Sequence, residues 1–278
     1  MGSFLRLVMT TKLLSSDSSV PPFQLHAKSW WWRFASPHAV FPYLGGIAKA
    51  ALLFSLVTAL IGLYLGFVVA PTDAQQGNVY RIIFLHVPAA WLSMVIYVAM
   101  CFWAIIGLVF NTRLSHMVAQ ALAPTGALLT FLALWTGALW GKPTWGTWWV
   151  WDARLTSELI LLFLYLGFLS LHSAIDDPRR ADKAAVILAL VGVINVPIIY
   201  FSVVWWNTLH QGASISVRNA PSIATPMLLA LLVMTVAVWA YAFGAVLLRL
   251  RAIILEREAG SPWLVETIQN RQKTGVKQ

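Results

Sequence analysis

Three short stretches of this chain gather residue types that do chemistry. Residues 145–152 read WGTWWVWD, four tryptophans and a closing aspartate within eight positions. Upstream, NVYRIIFLHVPAAW carries Arg81 and His86; downstream, WWNTLHQGASI carries His210. Two imidazoles are natural metal ligands, because the neutral ring offers a nitrogen lone pair near physiological pH. Zinc would require a third or fourth ligand; Asp152 could serve, but no HExxH or similar spacing supports it. Two histidines alone suit the axial positions of haem iron. Trp145, Trp148, Trp149 and Trp151 would suit the same ligand, since a flat apolar macrocycle stacks on indole faces. Its propionates would pair with Arg or Lys through charge-assisted hydrogen bonds. Arg154 and Arg81 are the first candidates for that role, Arg218 and Lys142 the second. On chemistry alone, quinone or lipid binding stays open beside haem. Any single tryptophan here could also be an ordinary interfacial residue, but a belt spreads its indoles over many helix ends.

These stretches act together only if the fold brings them to one place. The chain has 278 residues, of which 59% are hydrophobic and 10% charged; its mean hydropathy is +0.75. A soluble domain carries about 25% charged residues, so the composition is that of an all-α integral membrane protein. Apolar runs of about 20 residues mark membrane helices. Six are predicted, at about 45–69, 87–110, 117–140, 157–175, 184–205 and 223–248. The third opens on a broken stretch, ALAPTGA, and the fifth is expected to kink near Asn195 and Pro197.

Lys and Arg then set the orientation. Of the nineteen, all but Arg81, Lys142, Arg154 and Arg218 fall in the two terminal segments and the loops on their side. Both termini are therefore expected in the cytoplasm. The tryptophan-rich loop between helices 3 and 4 is expected on the outer face, flanked by the two outer loops that bring His86 and His210. The net charge of +9 is thus a topology signal and not a nucleic-acid footprint. Residues 1–43 and 250–278 read as cytoplasmic tails around a membrane domain at 44–249. No signal peptide is evident. Trp30, Trp31 and Trp32, beside Lys28 and Arg33, suit a membrane–water boundary.

The remaining reactive residues read more plainly. Cys101 is the single cysteine, so one chain offers neither a disulfide framework nor a thiolate cluster, and no CxxCH attaches haem covalently. His116 and His172 fall beside the inner loops and read as hydrogen-bonded polar residues; His26 and His38 carry little signal. Asp152 reads as the cap of a helix starting near Leu155 or a partner of Arg154. Glu158 reads as a first-turn acid at the same helix end.

The segment WGTWWVWDARLTSELILLFLYLG resembles the "WWD" signature of haem-handling membrane proteins. Within that superfamily the chain is similar, over about 45–250, to the cytochrome c maturation protein C family. RIIFLHVPAAW and WWNTLHQGASI resemble the segments carrying that family's two haem-ligating histidines. The resemblance implies non-covalent haem b on the periplasmic face of the bacterial inner membrane, with His86 and His210 as axial ligands. It also implies that the tryptophan loop presents haem to a periplasmic chaperone, CcmE, in company with a small membrane subunit, CcmD, and an ATP-binding-cassette pair, CcmA and CcmB. The function expected is haem handling without catalysis. Two rivals are a haem-translocating permease and a cytochrome c haem lyase. The chain has no P-loop of its own. Its spans are poor in charge, and its outer half adds no histidine for a second haem beyond His86 and His210.

Overall fold

Among the described residues, the first helix begins where Ser36 can cap it. Its hydroxyl accepts from the Ala39 N–H at 3.3 Å, and Pro37 fills the first helical position, where a missing N–H is harmless. The structure, a computed structural model, describes residues 36–206, 208–210 and 222–273, the last three by backbone only. All of these belong to one unit, Phe34–Gln278. Trp30, Trp31, Trp32, Arg33 and Arg218 lie outside the described residues.

The first helix, α1, spans Pro37–Tyr64 and continues as a π-helical turn, Leu65–Val69. A 3-10 turn, Asn78–Ile82, leads into α2, Ile83–Phe110. Then follow α3 (Arg113–Trp145), α4 (Ala153–Ala174), α5 (Pro178–Gly192), α6 (Asn195–Trp205), α7 (Thr225–Arg257) and α8 (Pro262–Lys273). With α5 and α6 counted as one span, six helical segments are long and apolar enough to cross a membrane. The fold is all-helical among the described residues.

Several expectations shift. The second span starts at Ile83 and not at 87, because Pro88 lies within two turns of the helix start, where few ladder bonds are lost. His86 is therefore a buried helical residue and not the end of a loop. The expected break at ALAPTGA does not occur, and α3 runs unbroken through Pro124. Gly126 there has no Cβ, and the Tyr165 ring packs directly against it. The fifth span does kink, at Val193–Ile194. Asn195 Nδ2 then donates to the Ser157 carbonyl on α4 at 2.8 Å, tying the kink to the neighbouring helix. Beyond α7 the chain turns into α8, which returns Leu264 to the core.

The helices α1 and α7 pack along each other, as do α2 and α3; α4 joins α3 to α5 and α6. The central cluster holds Tyr97, Met100, Leu161, Tyr165 and Phe168 among alanines such as Ala89, Ala104, Ala119 and Ala123. Small side chains let membrane helices approach closely, since lipid gives them no hydrophobic drive to associate. Phe54, Leu56, Leu60 and Phe67 of α1 face outward, as suits a lipid-exposed surface.

The two ends of the bundle differ. At one end Arg251 lies over the Phe41 ring at 5.5 Å, and Arg113 pairs with Glu258 at 2.8 Å. Asp182 accepts from Arg257 through both oxygens at 2.9 Å. His172 reaches the same carboxylate at 3.1 Å, in keeping with its reading as a hydrogen-bonded residue. The opposite end carries His86, His210 and the tryptophan loop.

Candidate functional site

The tryptophan loop is shaped by its glycine and its threonine. Gly146 adopts φ +79° and ends α3, a conformation glycine takes without penalty. The Thr147 hydroxyl donates to the Trp149 carbonyl at 3.1 Å and folds the chain back. Asp152 then caps α4, accepting from the Leu155 N–H at 2.8 Å. The aspartate that closes the motif thus starts the next helix and sets where Arg154 leaves it.

This geometry lines a half-open cleft at this end of the bundle. From α2 come His86 and Ala90; from α3 Ala133, Gly137 and Trp145; from the loop Trp149; from α4 Arg154 and Glu158; and from the segment before α7, His210. The lining thus combines small residues, aromatic rings and two charged side chains.

The two imidazoles face each other with ring centres 6.0 Å apart and planes tilted by 50°. One metal ion set between them is within reach of both, each metal–nitrogen bond being about 2 Å. Trp145 meets His210 edge-on at 5.6 Å, and Trp140 meets His86 edge-on at 5.7 Å. Trp140 Nε1 is held in turn by Gln76 Oε1 at 2.7 Å. Burial, with help from the Arg154 and His86 charges, pushes the His210 imidazole down to about 3. The ring is therefore neutral at physiological pH and keeps a lone pair for a metal.

The remaining candidates divide. Trp145 and Trp149 line the cleft, whereas Trp148 and Trp151 are exposed, Trp151 at 76%. Trp151 meets Trp149 edge-on at 5.4 Å, so the exposed rings adjoin the lining ones. Arg154 lines the cleft and reaches the Ile199 carbonyl at 3.5 Å. Arg81 points elsewhere. It donates to the Gly66 carbonyl, to the Ala70 carbonyl at 3.2 Å and to Asn78 Oδ1 at 3.2 Å, satisfying carbonyls freed at the end of α1. Lys142 sits 6.0 Å from the Trp148 ring centre and donates to the Gly146 carbonyl, bracing the loop.

Sequence reasoning missed Glu158. Asp152 is the cap, and Glu158 lies in the second turn, buried at 7% exposure, accepting from the Ser93 hydroxyl of α2 at 2.9 Å. An acid within a membrane span is a functional candidate by default; that signal was present, and its position beside a helix start masked it.

Buried polar atoms are normally partnered. Among the described residues, four buried polar atoms without a hydrogen-bond partner, Trp149 Nε1, Asp152 Oδ2, Thr208 Oγ1 and His210 Nδ1, lie in the loops at this end; Tyr97 Oη and Gln120 Oε1 are others, within the bundle. Together with paired imidazoles, apolar lining residues and the Arg154 guanidinium, this set fits a flat metal-bearing ligand with an anionic edge.

Fold and site thus define a multi-pass membrane protein with a bis-histidine, tryptophan-walled cleft at one end of its bundle. Residues 30–265 match the model of the family described as heme exporter protein C. The chain is 47% identical over 247 residues to the heme exporter protein C of Escherichia coli strain K12, covering 86% of this chain and 96% of that protein. It is 46% identical over 240 residues to the protein of the same name from Haemophilus influenzae, covering 84% and 96%. A third, from Bradyrhizobium diazoefficiens, is 52% identical over 183 residues, covering 66% and 69%. The chain belongs to the heme exporter protein C family. It is a multi-pass inner-membrane protein.

Proposed function

We propose that the cleft holds haem b non-covalently and presents it to a periplasmic haem chaperone of the CcmE kind. The observation that carries this reading is the pair of imidazoles, His86 and His210, facing each other at 6.0 Å in a cleft walled by Trp145 and Trp149. The two rings are the axial ligands, Trp145 and Trp149 bear on the macrocycle, and Arg154 is the propionate partner. Haem supplies an iron centre with two axial positions and an anionic edge; it is cargo here, not a catalytic group. The chain's own residues hold it, orient it and leave one edge uncovered. Trp148 and Trp151, exposed beside the cleft, form the hand-over surface. Arg81 acts indirectly, by holding the turn that leads into His86.

In this reading the cleft end faces the periplasm and both termini the cytoplasm, which the Lys and Arg distribution supports. Residues 1–43 and 250–278 then flank the haem-handling part, 44–249, on the cytoplasmic side. The complex in this reading includes the small subunit CcmD and the transporter pair CcmA and CcmB. Transfer is tested by mixing the haem-loaded protein with apo-chaperone and following haem on each after separation. Loss from this chain with a matching gain on the chaperone is expected; haem that stays with this chain, while the chaperone is competent to receive it, argues against presentation.

A further inference from the structure

The two imidazoles are held differently. Thr136 Oγ1 lies 2.5 Å from the Leu132 carbonyl oxygen and 3.1 Å from His86 Nδ1. A hydroxyl has one proton, and a carbonyl oxygen can only accept. That proton goes to Leu132, so towards His86 the hydroxyl is the acceptor. His86 Nδ1 must then carry the N–H, which leaves the lone pair on Nε2. The same ring edge abuts α3 at Gly137, where a Cβ would come within 3.1 Å of His86 Cε1. Thr136 and Gly137, with the Ala133 carbonyl one turn earlier as a further acceptor, therefore set both tautomer and orientation.

His210 has no such support. It lies in the segment between α6 and α7, and its Nδ1 is buried without a hydrogen-bond partner among the described residues. Among the described residues its ring meets Trp145, edge-on, and His86. An N–H donated to an acceptor orients a ligating imidazole and raises its basicity. We propose that Thr136 is the positioning residue of His86, making His86 the retained ligand and His210 the one that exchanges on hand-over. This rests on the reading of both histidines as axial ligands.

The test uses the purified full chain loaded with haem. Thr136→Val keeps the side-chain shape and removes the acceptor. Haem affinity is expected to fall on the order of 10- to 100-fold, with a shifted reduction potential, and Thr136→Ser to restore both. Carbon monoxide added to the reduced protein reports which ligand exchanges. The carbonyl stretching frequency of the unaltered protein is expected to match that of His210→Ala and to differ from that of His86→Ala. A silent Thr136→Val, or a carbonyl adduct matching His86→Ala, overturns the proposal. If His86→Ala leaves the low-spin spectrum intact, the ligand reading itself fails; if that spectrum is lost while Thr136→Val is silent, only the positioning role fails.

Discussion

The Glu158 carboxylate accepts a hydrogen bond from the Ser93 hydroxyl at 2.9 Å across the α2–α4 contact, in the wall of the cleft that holds His86. Ser93 also presents its backbone carbonyl to the Tyr165 hydroxyl at 2.7 Å. Glu158 thus completes a buried polar link between two helices that each bring a cleft residue. Glu158→Ala leaves the Ser93 hydroxyl only the Ala90 carbonyl, at 2.8 Å, as acceptor and opens a void between the helices; it is expected to lower stability by about 0.5–3 kcal/mol. Glu158→Gln keeps an acceptor and should lose much less. Thermal unfolding of the detergent-solubilised protein separates the two.

Among the described residues that line the cleft, Arg154 is the one Lys or Arg. Arg154→Gln is expected to reduce haem retention while membrane insertion stays normal. Arg154→Lys should recover it only in part, because an ammonium cannot reproduce the planar two-pronged contact with a carboxylate. Haem per protein after purification, set against the amount of protein in the membrane, checks both.

The four loop tryptophans should fall into two classes. Trp149→Ala removes a lining ring and is expected to weaken haem binding. Trp151→Ala removes a ring that is 76% exposed, and is expected to leave binding near normal while slowing transfer to the chaperone. Haem titration and transfer rates, measured on the same preparations, test this division; equal effects of both variants on binding would contradict it.

At the far end of the bundle, Asp182 joins α5 to α7 through Arg257 and to α4 through His172. Asp182→Asn leaves a largely buried guanidinium without its counter-charge and is expected to destabilise the protein by about 3–5 kcal/mol. The haem spectrum of the protein that remains folded should be unchanged, since no residue of this cluster lines the cleft. Thermal unfolding and absorption spectra together check the prediction.

How much of this was legible in the sequence follows from which forces act locally. Hydropathy is a sum over neighbours in the chain, so six spans could be counted and only their ends moved. Capping is also local, and the role of Asp152 was readable from its place before Leu155. The fate of Pro88 and Pro124 was not, because a proline breaks a helix or is absorbed according to what packs around it. That is why the sequence alone puts His86 at the end of a loop and a break at ALAPTGA. The cations show the same limit. Arg81 and Arg154 look alike in sequence, yet one bonds the carbonyls at the end of α1 and the other lines the cleft. Thr136 and Ser93 carry no signal of their own, since each acquires its role from a residue on another helix.

The central claim is that His86 and His210 together ligate haem iron. The most direct measurement is the absorption spectrum of the purified protein carrying His86→Ala, His210→Ala and both. The unaltered protein is expected to show a six-coordinate, low-spin haem spectrum, each single variant to lose that signature, and the double variant to retain little haem. A six-coordinate low-spin spectrum that persists in the double variant would contradict the account.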